Sequence, residues 1–110
     1  MDKKQINRII KIYLTDLSKK ITIDKVILFG SAVYGKVDRD SDIDLMIISS
    51  KFDRMTAVER FDLLYTSRLN PITQSTAMDI FGMTGKEYAE ANSLSLIGEI
   101  KETGEEITLS

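Results

Sequence analysis

Two short apolar runs, separated by a glycine turn and a pair of acids, constrain this chain more than any other feature. The runs are Lys25–Phe29 and residues 45–48. Both are short, rich in β-branched residues and bounded by turn residues, which predicts buried strands over about residues 24–29 and 43–49. Gly30-Ser31 follows the first run and Asp42 and Asp44 precede the second. The polar groups are therefore predicted to be held by rigid elements.

The rest of the chain alternates between helical and extended patterns. An opening amphipathic helix is predicted with Asp2 as its N-cap, followed by a short helix near residues 32–34 after the first strand. A second core helix begins with the capping-box pattern at residues 56–59 and stops at Asn70-Pro71. A third strand is predicted over residues 74–81, then a helix from 84 to 104 and a short edge strand or frayed end. The apolar stripe of the second core helix is Val58, Phe61, Leu64, Tyr65 and Leu69.

This order predicts an α/β fold with a small mixed β-sheet flanked by helices. The length of 110 residues and 43% hydrophobic content suit a single domain spanning 1–110. Cysteine and histidine are both absent, which excludes a cysteine nucleophile, a thiolate zinc site and a histidine base. The 15 basic and 17 acidic residues are interspersed, which argues against a broad nucleic-acid surface. Without a long apolar stretch, a cytoplasmic protein with no membrane contact is expected.

The carboxylates of Asp42 and Asp44 are the first candidate functional groups. Residues i and i+2 of a strand point to the same face, so the two acids are predicted to lie side by side. Asp79 lies within the predicted third strand and can add a third oxygen ligand. Such a cluster suits Mg²⁺, which prefers oxygen ligands, and three carboxylates suit two ions roughly 4 Å apart. The simpler alternatives are a solvated strand end for Asp42 and Asp44 and a surface position for Asp79.

Gly30 and Ser31 are the candidate phosphate ligands. A glycine lets the backbone approach a phosphate closely, and N–H groups at the start of a helix favour anions. Ser31 can equally act as the N-cap of the short helix, and the two roles are compatible. Lys36 and Arg39 follow the turn closely enough in sequence to neutralise phosphate charge, although their direction is not fixed by sequence.

Taken together, Gly30-Ser31, Gly35 and the run of residues 41–45, Ser-Asp-Ile-Asp-Leu, resemble the signature of the DNA polymerase β-like nucleotidyltransferase superfamily. The size and spacing resemble its minimal (MNT) branch. The resemblance implies a palm-like nucleotidyltransferase fold and catalytic, metal-binding roles for the three acids. It also implies that Gly30, Ser31 and Ser41 bind the nucleotide. Many minimal members carry Arg where this chain has Tyr34, which puts one phosphate contact in doubt.

The resemblance further implies a Mg²⁺-dependent enzyme that moves AMP, or another nucleoside monophosphate, from ATP or another NTP onto a protein hydroxyl. Minimal members are typically antitoxins paired with a HEPN toxin, and a toxin tyrosine would then be the acceptor. The chain lacks the added helical domain of antibiotic- and RNA-modifying relatives, so a partner is expected to supply the acceptor surface. Two alternatives stay open: transfer to a small molecule such as an aminoglycoside with a partner subunit, and a non-catalytic antitoxin or binding module.

Overall fold

The protein is described by a computed structural model that covers residues 1–35, 42–92 and 95–109. Helices and strands alternate along it, and two short 3-10 helices lie at Gly30–Tyr34 and Ser50–Phe52. The helices are α1 (Lys3–Leu17), α2 (Ala57–Thr66), α3 (Pro71–Ser75), α4 (Gly85–Glu90) and α5 (Leu96–Thr103). The strands are β1 (Lys25–Phe29), β2 (Ile43–Ile48), β3 (Met78–Met83) and β4 (Glu105–Glu106). No helix in these described stretches is long and apolar enough to cross a membrane.

The four strands form one mixed sheet in the order β3-β2-β1-β4. Strand β1 is antiparallel to both β2 and β4, whereas β2 and β3 are parallel. Parallel strands need a crossover connection, and α2 and α3 supply it between β2 and β3. The small mixed sheet flanked by helices is the predicted architecture, and it places Asp44 directly opposite Asp79.

One face of the sheet is closed by α1. The Asp2 side chain accepts a hydrogen bond from the Gln5 backbone N–H, and the Gln5 side chain accepts one from Asp2 in return, which completes a capping box. The apolar stripe of α1 packs on the sheet, and the hydroxyl of buried Tyr13 donates to the Leu64 carbonyl at 2.7 Å. That bond joins α1 to α2. The buried stripe is Ile6, Ile9, Ile10, Tyr13, Leu14 and Leu17, as predicted.

The opposite face carries a smaller apolar cluster. Its buried members are Ile27, Phe29, Met46, Ile48 and Ile100, and Tyr88 and Ile97 from α4 and α5 pack against them. Asp44 shares this face of β2 with Met46 and Ile48, because all three have the same strand parity. Asp44 is only half-buried. The helical cover therefore lies over the Met46 and Ile48 portion of the face, beside the acids.

Three of the predicted elements have wrong boundaries, and the third strand, Met78–Met83, differs from its prediction at both ends. The third strand begins at Met78, because residues 71–75 form α3: the Asn70 side chain accepts from the Ile72 N–H at 3.0 Å, and Pro71 suits the first helical turn. Helix α2 ends at Thr66, before the predicted stop at Asn70-Pro71. The helix predicted from 84 to 104 is two helices, since Ala91 is extended and Ser95 caps a new start by accepting from the Gly98 N–H.

Candidate active site

The structure brings Asp42, Asp44 and Asp79 together. One carboxylate oxygen from each lies within 4.8 Å of the others. The sheet explains this convergence, because Asp44 and Asp79 are register partners on adjacent parallel strands and Asp42 lies two residues before Asp44. Asp42 and Asp44 are half-buried, while Asp79 is exposed. The three predicted acids thus form one cluster that is open to solvent on the Asp79 side.

The acids perturb one another strongly. The pKa of Asp44 is raised to about 6, first by burial and then by the negative charges of Asp79 and Asp42. The pKa of Asp79 is also raised, first by desolvation and then by a hydrogen bond and charge repulsion from Asp42. A nearby divalent cation would reverse this effect by favouring the ionised carboxylates. A compact all-oxygen donor set of this kind fits a hard ion such as Mg²⁺.

Gly30 places the backbone turn against the acid cluster. Its φ of 73° lies in the left-handed region, and an added Cβ would collide with the Asp44 carboxylate oxygen. The preceding residue, Phe29, is the register partner of Asp44. Gly30 also begins the 3-10 helix in which exposed Ser31 is the second residue. The backbone at Gly30 therefore lies directly beside the acid cluster, and Ser31 follows it in the chain.

The remaining sequence candidates divide into two groups. Ser41, Lys36 and Arg39 lie outside the described residues. Gly35 ends the 3-10 helix with a φ of 69° and donates its N–H to the Ala32 carbonyl at 3.1 Å, which accounts for the glycine by turn geometry. Tyr34, at the position where many minimal members carry Arg, is 69% exposed.

A groove of about 650 Å³ runs beside Asp79, between α2 and the exposed face of β3. Phe61 is 56% exposed and stacks on Tyr65 with ring centroids 4.2 Å apart. Sequence reasoning missed this groove, because helical spacing is the same whether an apolar residue faces the core or a groove. Of the predicted stripe, Leu64 is buried, whereas Val58, Phe61 and Leu69 are exposed. The apolar residues that line the groove include Met46, Phe61, Leu64, Tyr65, Ile80, Phe81 and Ile97.

Two of the charged residues that line the groove, Arg60 and Glu87, form an ion pair. Arg60 donates two hydrogen bonds to Glu87, at 2.8 and 3.1 Å, and further ones to the carbonyls of Phe52 and Gly82. The pair lowers the pKa of Glu87 to about 2, chiefly through the Arg60 hydrogen bond. A larger cavity of about 720 Å³ lies near the end of α1 and is lined in part by Lys11, Lys19 and Lys51, and none of its described lining residues carries a carboxylate. The groove beside Asp79 is therefore the one associated with the acid cluster.

Comparison with known proteins assigns the family. Residues 8–106 match the nucleotidyltransferase domain, and the chain belongs to this family. A candidate protein adenylyltransferase from Methanocaldococcus jannaschii is 28% identical over 94% of this chain and 99% of its own length. The family membership makes the protein a nucleotidyltransferase, as the sequence predicted.

Solved structures confirm the predicted fold. A candidate nucleotidyltransferase from Sulfolobus solfataricus superposes with a TM-score of 0.64 at 15% identity, covering 82% of this chain and 77% of that one. A toxin–antitoxin structure with AMP-PNP gives a TM-score of 0.60 at 18% identity, covering 87% and 70%. An aspartate-to-glutamate double mutant of the MntA–HpeT toxin–antitoxin gives 0.57 at 15% identity with the same coverage. At these identities the likeness supports the nucleotidyltransferase fold alone.

Proposed function

We propose that this chain is a Mg²⁺-dependent protein adenylyltransferase that transfers AMP from ATP to a hydroxyl of a partner toxin. The observation that carries the proposal is the cluster of Asp42, Asp44 and Asp79 directly beside the Gly30 turn. An acid cluster next to a close-approach turn suits a nucleoside triphosphate bound through its phosphates. The choice of a protein acceptor is supported by the related candidate adenylyltransferase.

The metal ligands in this proposal are the three aspartates, which together offer enough oxygens for two Mg²⁺ ions. When bound, such ions neutralise phosphate charge and stabilise the attacking and leaving oxygens of an in-line displacement. The backbone at Gly30 and the hydroxyl and N–H of Ser31 hold the triphosphate end of ATP. Ser41 is a further predicted nucleotide ligand.

Asp79 is the acid placed to meet the incoming acceptor, because it is the exposed member of the cluster and borders the groove. We assign it the orientation and deprotonation of the acceptor hydroxyl. The acceptor oxygen forms a bond to the α-phosphorus of ATP while the bond from that phosphorus to the bridging oxygen breaks. AMP joins the acceptor, the hydroxyl proton passes to Asp79 and then to water, and pyrophosphate leaves.

The groove provides a surface for the acceptor side of the reaction. Its exposed aromatic rings, Phe61 and Phe81, suit an apolar protein segment better than a polycationic aminoglycoside, and Arg60 and Glu87 already neutralise each other. The toxin–antitoxin neighbours support a toxin as the partner, and we propose a HEPN-type toxin with an acceptor tyrosine. The protein would then act as a cytoplasmic antitoxin through a single minimal domain.

The test incubates the protein with Mg²⁺, α-phosphate-labelled ATP and the product of the neighbouring gene. We expect label on the partner, and the Asp42→Asn/Asp44→Asn variant should lose it. Asp53→Asn is the matched control, since Asp53 is an exposed aspartate outside the acid cluster. Equal labelling by the double variant and the wild type would refute the proposed site. Label in a small product would indicate a small-molecule acceptor, and tight complex formation without any label would indicate neutralisation by contact.

A further inference from the structure

The hydroxyl of Tyr65 contacts the backbone on both sides of Asp79. It accepts a hydrogen bond from the Ile80 N–H at 2.9 Å and donates one to the Met78 carbonyl at 3.3 Å. Asp79 is the residue between these two peptide groups, and its carboxylate reaches the acid cluster. A single side chain on α2 therefore fixes the strand segment that carries the third acid.

This segment needs an external support because β3 is an edge strand of the sheet. Strand β2 pairs with one side of β3. The other side of β3 presents the backbone N–H and C=O groups that an edge strand leaves without a strand partner. Tyr65 satisfies the groups around Asp79, while Arg60 donates to the Gly82 carbonyl further along the same strand. The two supports differ in place, since Tyr65 bonds the backbone beside Asp79 and Arg60 bonds the backbone at Gly82.

The Tyr65 ring is itself held in place. It stacks on Phe61 at 4.2 Å, and the Arg68 guanidinium lies 5.8 Å from its centroid. Half-buried Tyr65 also packs against the main core, next to fully buried Leu64. Contacts on several sides of the ring consequently fix the position of the hydroxyl. Through its two hydrogen bonds, the hydroxyl in turn fixes the backbone of β3 around Asp79.

We propose that Tyr65 is a positioning residue that holds the Asp79 carboxylate in the geometry required for metal and nucleotide binding. This inference rests on the proposed function, because Asp79 is a metal ligand only there. Groups that orient metal ligands typically contribute 10- to 100-fold to metal affinity. Loss of the Tyr65 hydroxyl should therefore weaken metal binding without removing any ligand.

The test measures Mn²⁺ affinity in the presence of AMP-PNP, together with hydrogen exchange of the Ile80 amide in the metal-free protein. Tyr65→Phe should bind Mn²⁺ about 10-fold more weakly and exchange the Ile80 amide faster. Tyr13→Phe is the matched control, because the Tyr13 hydroxyl also bonds a backbone carbonyl but does so between α1 and α2. It should lower stability while leaving Mn²⁺ affinity unchanged.

Phe61→Ala serves as a second variant, since it removes the stacked ring but keeps the hydroxyl, and Phe61 is more than half exposed. It should weaken Mn²⁺ binding less than Tyr65→Phe. Unchanged affinity in Tyr65→Phe, beside a clear loss in Asp79→Asn, would overturn the positioning role while leaving the proposed function intact. A wild-type protein that binds no Mn²⁺ would refute the metal site, and this inference with it.

Discussion

The two faces of the sheet differ in what their side chains do: one face packs into the core beneath α1, and the other carries the acid cluster. In β2, Ile43, Leu45 and Ile47 point into the core beneath α1 and are fully buried. Asp44 points to the other face, where its pKa is raised to about 6. Because successive residues of a strand point to opposite faces, the core residues of β2 and the candidate metal ligand Asp44 are direct neighbours in sequence. The face beneath α1, here called the closed face, secures the strands. The opposite face, here called the open face, is covered by α4 and α5 over Met46 and Ile48 and carries the clustered acids beside that cover.

The largest effect on stability should come from the closed face. Leu45→Ala removes a fully buried side chain, and we expect a loss of about 2 to 5 kcal/mol in the free energy of unfolding. Urea denaturation followed by circular dichroism measures it. Leu69→Ala is the control, because Leu69 is 54% exposed and its truncation should cost little. Equal losses in the two variants would show that burial beneath α1 does not determine the cost of truncation.

Gly30→Ala should damage the open face more selectively. The new Cβ would collide with the Asp44 carboxylate and would strain a residue with φ of 73°. We expect a stability loss of about 1 to 2 kcal/mol from the backbone conformation, together with loss of most transfer activity. Gly35→Ala is the control, because φ there is 69° but the added Cβ would meet Lys3 at ordinary contact distance. Comparable activity in the two variants would contradict the role assigned to Gly30.

Asp44→Asn should raise the stability of the metal-free protein and lower its transfer activity. The folded-state pKa of about 6 lies above the ordinary 3.8, so ionisation of Asp44 destabilises the metal-free protein as pH rises between these values. We expect the variant to be more stable at pH 7 by about 1 to 2 kcal/mol after allowance for solvent screening, with that pH dependence reduced. Thermal melting across about pH 4 to 7, a range that contains most of the titration between the ordinary pKa and the raised one, measures this difference. A variant that is less stable at pH 7 would contradict the account.

Glu87→Gln should have the smallest effect, because the Arg60 pair lies at the margin of the open face and Glu87 is 43% exposed. The lowered pKa of Glu87 means that its contribution is present above the ordinary value of 4.5 and is lost as pH falls toward about 2. We expect a loss of about 0.5 kcal/mol at neutral pH, measured by urea denaturation. Glu90→Gln, an exposed change in the same helix, should cost less. A larger loss in Glu90→Gln would refute this assignment.

Sequence patterns predicted the Asp42 and Asp44 part of the acid cluster because its determinants are local, whereas Asp79 joins them through the pairing of β3 with β2. Alternation places Asp42 and Asp44 together, and Asp79 lies between the apolar residues Met78 and Ile80. The division into α4 and α5 was not predicted because the apolar spacing of the sequence is continuous, whereas Ala91 is extended and Ser95 caps a new helix. The Tyr65 hydroxyl contact joins α2 to an edge strand, and helical spacing carries no information about such a tertiary hydrogen bond. Local periodicity predicts the face of a helix or strand on which a residue lies, whereas the residues that it contacts on other elements depend on the assembled fold.

Nucleotidyl transfer at the acid cluster is tested most directly by an experiment that follows two labels in parallel. The protein and the neighbouring gene product are incubated with Mg²⁺ and ATP labelled at either the α- or the γ-phosphate. We predict that α-label appears on the partner and γ-label in pyrophosphate, with both lost in Asp42→Asn/Asp44→Asn. Transfer of γ-label to the partner would show phosphoryl transfer instead and would contradict the account.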